Sequence, residues 1–258
     1  MRITILSYNI SQSRYIWNQL VSYISKKKNV VVMLQECPKT RAVCALNNLG
    51  FKSFVQKTRA GDLVMLVSSD IYTLHSNITV LSSNHSYQRI KINGVDIVNV
   101  HMNARSAKKD RDDKYKENIS IIRANIGDNA VVGGDFNENP FDTLMTIPTG
   151  WFAKRTFIEI QSNSQNGFVN PFWHLIRKRF KDVPSGTIEA DETEPMSMAI
   201  FDQFILKQTL CRKIKSYGLL NKLGNMSIST LNQNANQQKR YMRGKKDRHW
   251  PVYITLDI

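Results

Sequence analysis

The chain has 258 residues, 41% of them hydrophobic and 22% charged, a composition that closes a substantial core and excludes wholesale disorder. A formal charge of +15 and an isoelectric point near 9.8 create a field that attracts polyanions, so nucleic acid and anionic head groups fit as partners; a basic surface that binds nothing is the bland alternative. No stretch approaches the ~20 apolar residues of a membrane-spanning helix, so stable membrane insertion is not expected, and three cysteines without CxxC spacing, Cys37, Cys44 and Cys211, suggest neither a disulfide framework nor a thiolate zinc site.

In chain order, Met1–Ile10 reads as a first strand, with its apolar run at Ile3–Leu6, rather than as a secretory leader, which makes the cytoplasm the expected location. A helix follows, because Ile16, Trp17, Leu20, Val21 and Ile24 recur at helical spacing after Ser11 and Ser13, either of which can cap it. Val30–Leu34 is the next strand, and Pro38–Leu49 reads as a helix with Pro in its first turn and Gly50 past its end. Leu63–Val67 and Val95–Val100 are strands, and Tyr115, Ile119, Ile122 and Ile126 mark a helix ending before Gly127. Ala130–Val132, Thr156–Ile160, Phe201–Leu206 and Val252–Leu256 complete the predicted strands. The Asn/Gln-rich stretch Asn221–Gln238 and the basic run Lys239–Lys246 together read as one long basic loop over 221–246. Strands dominate and no Pro/Gly/Ser-rich linker divides the chain. The expectation is one α/β domain over 1–258, with two sheets face to face and helices outside.

The chemistry-bearing residues sit at strand ends, where a rigid element holds a side chain beside solvent. The first strand ends in Ser7-Tyr8-Asn9, the second in Gln35-Glu36, a central one in His101-Met102-Asn103, and the next in Gly133-Gly134-Asp135-Phe136-Asn137. Later, Phe201-Asp202-Gln203-Phe204 opens a strand and Asp247-Arg248-His249-Trp250-Pro251 leads into the last one. Taken singly, each carboxylate has a plain reading as a cap or turn former, and each histidine as a hydrogen-bonded structural residue.

Their order is more informative. The blocks SYNI, LQE, VNVHMN, GGDFNENP, FDQFIL and DRHWPVYITL span nearly the whole chain, and in this succession the sequence resembles the endonuclease/exonuclease/phosphatase superfamily. That resemblance implies a four-layer α/β/β/α sandwich and a metal-dependent phosphoesterase, with Glu36 as the metal-binding carboxylate and Asn9 beside it. Oxygen ligands of this kind suit Mg²⁺ or Mn²⁺ rather than zinc. The resemblance further casts Asp135 as the residue that deprotonates the attacking water and Asn137 as the amide that aligns water and phosphate. His249 becomes the imidazole at the scissile phosphate, Asp202 its paired carboxylate, and His101 a phosphate contact assisted by Asn103.

One position departs from the pattern: family members carry an aspartate where this chain has Arg248, which bears on a second metal position. Arg248 can bind phosphate instead, or Asp247 can substitute from one residue back. Phe168-Val169-Asn170-Pro171-Phe172-Trp173 resembles a segment of some bacterial members, and its aromatics, Trp173 in particular, are either a substrate rim where bases stack or core. Lys108, Lys109 and Arg111, and Arg177, Lys178, Arg179 and Lys181, line a polyanion groove or are solvated faces. The functional expectation is a monomeric Mg²⁺- or Mn²⁺-dependent nuclease acting on DNA or RNA. The alternatives are a hydrolase of inositol phosphates or phospholipids, and a weakened member that only binds nucleic acid.

Overall fold

The computed structural model describes residues 1–38, 49–58, 61–74, 80–82, 87–103, 109–156, 167–177, 187–189, 198–239 and 249–258. Its first half runs β1 (Arg2–Asn9), α1 (Arg14–Ile24), β2 (Val30–Cys37), β3 (Phe51–Gln56), β4 (Asp62–Ser68), α2 (Ser69–Leu74), β5 (Val80–Ser82), β6 (Tyr87–Ile92), β7 (Val95–His101) and α3 (Lys109–Asn125). The second half runs β8 (Ala130–Asp135), α4 (Thr143–Thr146), β9 (Ala153–Lys154), β10 (Phe168–Val169), a 3-10 turn (Pro171–Arg177), β11 (Ile188–Glu189), β12 (Met198–Ala199) and β13 (Asp202–Lys207). It closes with α5 (Gln208–Cys211), β14 (Ile214–Leu219), β15 (Lys222–Leu223), β16 (Met226–Ser227), α6 (Ile228–Lys239) and β17 (Val252–Asp257).

Two mixed sheets result, six strands in the order β14-β17-β1-β2-β4-β3 and seven in the order β5-β6-β7-β8-β13-β10-β9. Because side chains alternate along a strand, each sheet has two apolar faces to cover. Ile3, Ile5, Val31 and Met33 of the first sheet meet Ile97, Val131, Phe204 and Leu206 of the second in a core between them. On the outer face of the first sheet, Leu6, Tyr8, Val32 and Leu34 pack against Trp17, Leu20 and Ile24 of α1 and Ile228, Leu231 and Ala235 of α6. On the outer face of the second, Val98, Val100 and Val132 pack against Tyr115, Ile119 and Ile122 of α3. The fold is the expected four-layer α/β/β/α sandwich, and no described helix is long and apolar enough to cross a membrane.

Local sequence explains the element ends. Ser13, not Ser11, caps α1: its side chain accepts from the Ile16 N–H at 3.2 Å. Asn93 and Gly94 both have positive φ, +47° and +74°, and turn β6 into β7, the two-residue hairpin that Asn-Gly favours. The expected long loop over 221–246 is corrected. Residues 221–239 form the β15–β16 hairpin and α6, because Ile228, Leu231, Asn232 and Ala235 are buried at i, i+3, i+4 and i+7, a stripe too sparse to stand out among Asn and Gln. Strands β3, β6 and β14 were not expected either; each interleaves lysine or arginine with its apolar residues. The expected helix at Pro38–Leu49, the strand at Thr156–Ile160, and the run 240–246 fall largely or wholly outside the described residues, as do Lys108, Lys178, Arg179, Lys181 and the side chains of Lys109, Arg111 and Arg177.

Candidate active site

Along each inner strand face, apolar residues give way to polar ones at one end of the sandwich. In β1 the inward series Ile3, Ile5 continues as Ser7 and Asn9; in β7, Ile97 continues as Asn99 and His101; in β8, Val131 leads through Gly133 to Asp135; in β13, Asp202 precedes the inward Phe204 and Leu206. Register then sets neighbours side by side, since His101 and Asp202 both face Asp135 across the ladders of β8. Gly133 permits the close packing, for a Cβ there would collide with the Phe204 ring and with Met33 at 2.7 Å.

Glu36 does not follow the alternation, and a β-bulge explains why. Between Leu34 and Cys37, β2 carries one more residue than its partner β4, and Glu36 adopts φ +48°. Val30, Val32, Leu34 and then Cys37 all pack in the outer layer, so the extra residue turns Glu36 toward the inner edge. Gly61 faces this bulge because a Cβ there would lie 2.8 Å from the Glu36 Cα.

The side chains meet in one chain of contacts. The Asn9 Nδ2 donates to Asp135 Oδ2 at 3.0 Å and to Glu36 Oε1 at 3.4 Å. His101 Nε2 lies 3.6 Å from Glu36 Oε1 and 3.8 Å from Asp135 Oδ2. On the far side His249 Nδ1 meets Asp202 Oδ2 at 2.8 Å, and ligand atoms of Asp135, Asp202 and His249 all lie within 4.8 Å of one another, a spacing that can hold a metal ion. The Asn137 backbone N–H donates to Asp135 Oδ1 at 2.9 Å while its side-chain amide donates to the Met102 carbonyl at 2.7 Å; its φ of +52° is a left-handed conformation that asparagine tolerates.

A second tier of polar groups fixes these residues. Gln35 Nε2 donates to Ser7 Oγ at 3.1 Å and to Asn99 Oδ1 at 2.6 Å, and the Asn99 amide donates to the Leu34 carbonyl at 3.1 Å, tying the two sheets together beneath the site. Thr187 Oγ1 accepts from the Asp202 N–H at 2.8 Å, and the Thr187 carbonyl accepts from Trp250 N at 2.8 Å, so one residue anchors both members of the Asp202–His249 pair. Asn232 of α6 donates to the His249 carbonyl at 3.1 Å. Tyr115 of α3 reaches the Phe136 carbonyl at 2.7 Å.

Charge is concentrated here without full neutralisation. Burial pushes the Asp202 carboxyl up to about 6 against the attraction of His249, and Asp135 adds to the rise. Burial works against a charged His249, but Asp202, then Asp135 and Glu36, push its pKa up to about 9. Between those values the pair carries one proton, and it resides on the imidazole. Asp202 Oδ1 is buried without a hydrogen-bond partner among the described residues. Three carboxylates, Glu36, Asp135 and Asp202, therefore crowd one end of the sandwich in a protein whose overall charge is +15, and oxygen donors of this kind could take a divalent cation.

With this geometry, comparison with known proteins is informative. The 3′ phosphatase NExo from Neisseria bound to a product DNA hairpin aligns over 99% of this chain and 100% of its own, at a TM-score of 0.61 and 14% identity. An AP endonuclease from Archaeoglobus fulgidus aligns over 99% and 100%, at 0.60 and 13%, and the endonuclease domain of TRAS1, a telomere-specific non-LTR retrotransposon, over 99% and 98%, at 0.58 and 13%. The chain has the endonuclease/exonuclease/phosphatase fold. No family model matches the sequence, and comparison with curated proteins finds no match. Within this fold, Asn9, Glu36, His101, Asp135, Asp202 and His249 come together, whereas Asn103 is exposed just beyond His101 and Trp173 pairs with Phe141 at 6.1 Å between ring centroids. Arg248 and Asp247 lie outside the described residues. Sequence reading missed Thr187, which carries no motif, and the supporting amides Gln35, Asn99, Asn170 and Gln203, although all four stand inside the quoted blocks and segments.

Proposed function

We propose that the protein is a metal-dependent phosphodiesterase that hydrolyses nucleic acid. The observation that carries this reading is the meeting of three carboxylates, Asn9 and two imidazoles at one end of the sandwich, with a buried carboxylate oxygen left over. The charge of +15 brings a polyanion toward a site whose own field would repel it, so a cation must mediate there. The nucleic-acid enzymes named among the structural neighbours favour this substrate class over lipid or inositol phosphates.

Glu36, with Asn9 beside it, would hold Mg²⁺ or Mn²⁺, and the second carboxylate oxygen of Asp202 would offer a further oxygen ligand. His249 takes the phosphate-contacting role in this scheme: its Nδ1 is paired with Asp202, which fixes the ring and favours its charged form. When bound, such an ion neutralises phosphate charge and acts as a Lewis acid. Asp135, fixed through its Oδ1 by the Asn137 N–H, takes a proton from the attacking water as the new P–O bond forms and the ester P–O bond breaks in line. Asn137 aligns water and phosphate. His249, kept protonated by Asp202, places positive charge against the phosphoryl oxygens, and His101 with Asn103 adds a second phosphate contact.

The test is incubation with plasmid, single-stranded DNA, RNA and phosphoinositides in Mg²⁺, Mn²⁺ or chelator. Cleavage of nucleic acid that chelator and Asp135→Ala both abolish is expected. Undiminished cleavage in chelator, or equal activity in Asp135→Ala, overturns the assignment; retention of DNA in gel shifts without cleavage leaves a binding protein.

A further inference from the structure

Among the described residues the exposed large hydrophobics are Met1, Leu49, Val55 and Phe141, and Phe141, at 51%, is the most exposed and the only aromatic. It stands four residues past Asn137, within about 14 Å of it even along a fully extended chain. Its ring meets Trp173 in an edge contact, 6.1 Å between centroids and 64° between planes. Such a contact occupies at most one face of each ring, so a flat aromatic surface stays open to solvent beside the candidate site.

This surface is built rather than incidental. Gln203 and Asn170 are fully buried, and Gln203 Nε2 donates to the Glu138 carbonyl at 2.7 Å and the Ile200 carbonyl at 3.2 Å. Its Oε1 accepts from Asn170 Nδ2, and Asn170 Oδ1 accepts from Phe172 N at 3.0 Å. One pair of buried amides thus fixes the segment three residues before Phe141 and the segment just before Trp173, and ties both to the strand start that presents Asp202. Asn139 completes the lock: its Oδ1 accepts from Ile200 N at 2.9 Å and its N–H donates to Asp142 Oδ2 at 2.6 Å. A core role would have buried the phenyl ring; this network instead ties down the chain on both sides of Phe141 while the ring stays exposed.

We propose that Phe141, backed by Trp173, is a stacking step for an unpaired base next to the reacting phosphate, which directs the protein to single strands and frayed ends in preference to intact duplex. Every base offers a π-face, but a base in duplex already has both faces covered, so an aromatic step selects for the unstacked state. An inositol ring or a lipid head group has no such face. The inference rests on the nucleic-acid reading above and adds the structural class of strand.

The variants are Phe141→Leu, which keeps apolar bulk without a π-face, and Phe141→Trp, which restores one. Binding is followed in chelator with single-stranded DNA and RNA of one sequence carrying 2-aminopurine, whose fluorescence is quenched by stacking, and with the DNA paired in a duplex. Wild type and Phe141→Trp are expected to quench the single-stranded probes, while Phe141→Leu loses the quenching and weakens binding by about tenfold or more. With metal, kcat/KM on single strands falls by a similar factor in Phe141→Leu, while cleavage of an abasic oligomer of tetrahydrofuran phosphodiesters, which carries no ring with a π-face, is unchanged. Equal quenching and equal single-strand turnover in wild type and Phe141→Leu sink the stacking step and leave the phosphodiesterase standing. Quenching lost only in Phe141→Leu, with no cleavage of any nucleic acid by wild type, does the reverse. A wild type that binds no single-stranded probe overturns the step outright.

Discussion

Asp96 and Asp202 are both buried aspartates in strands of the same sheet, at opposite ends of it, Asp96 on the helix-covered face and Asp202 on the inner one, and their surroundings differ in kind. Asp96 Oδ1 is held by Arg89 through Nε at 2.9 Å and a second guanidinium nitrogen at 2.8 Å, with Lys91 at 3.7 Å, and Oδ2 accepts from the Gly127 N–H at 2.8 Å. Asp202 has one oxygen on His249 and the other without a hydrogen bond of good geometry among the described residues, the nearby Thr187 hydroxyl favouring its charged form and Asp135 opposing it. The first end spends its charge on holding strands and helix in place. The second leaves charge unsatisfied, which a protein retains where chemistry or a ligand needs it.

Breaking each end should therefore have opposite signatures. Asp135→Asn should lower kcat/KM by about 10²–10⁴-fold, the range for a lost acid–base group. Its melting temperature in chelator should match or exceed that of wild type, because one of three crowded carboxylates is gone; thermal unfolding followed by circular dichroism, alongside a cleavage assay, reads both. Asp96→Ala should do the converse, costing about 3–5 kcal/mol of stability by stranding Arg89 while the folded fraction keeps wild-type kcat; denaturant titration with active-site-normalised kinetics decides. Adding Mg²⁺ or Mn²⁺ at a hundred times its Kd should stabilise wild type by about 2.7 kcal/mol, and Glu36→Ala should lose most of that shift in a melting assay. Last, in chelator the His249 ring should titrate at about 9 and fall toward the ordinary imidazole value in Asp202→Asn, since the main charge favouring its protonated form is removed. NMR of the ring protons measures this, and an unchanged titration would show that Asp202 does not control the proton.

Much of this contrast was legible in the sequence at one end and almost none at the other. Asn9, Glu36, Asp135, Asp202 and His249 announce themselves because each interrupts or terminates an apolar strand, and strand alternation alone places Asn9 on the inner face of one sheet and His101, Asp135 and Asp202 on the inner face of the other. Glu36 was found by its block, but its inward aim was not readable, since alternation points the residue after Gln35 to the helix layer and only the bulge reverses it. Asp96 gave no signal, for its partners Arg89 and Gly127 lie on other elements. Helix α6 was hidden because burial falls on Ile228, Leu231 and Ala235 within a stretch whose composition says loop. Phe141 was passed over because its meaning comes from Asn170 and Gln203, contributed by segments well removed from it in sequence.

The Gln35–Asn99 contact of 2.6 Å has a consequence for how the molecule would fail on heating. Asn9 and Glu36 ride on one sheet, His101, Asp135 and Asp202 on the other, and an apolar interface by itself resists separation better than it resists sliding. The Gln35–Asn99 bond, beneath the site, opposes such a slide. Loosen it and the two sets of groups drift out of alignment while every strand is still paired, so inactivation would precede melting and would reverse on cooling.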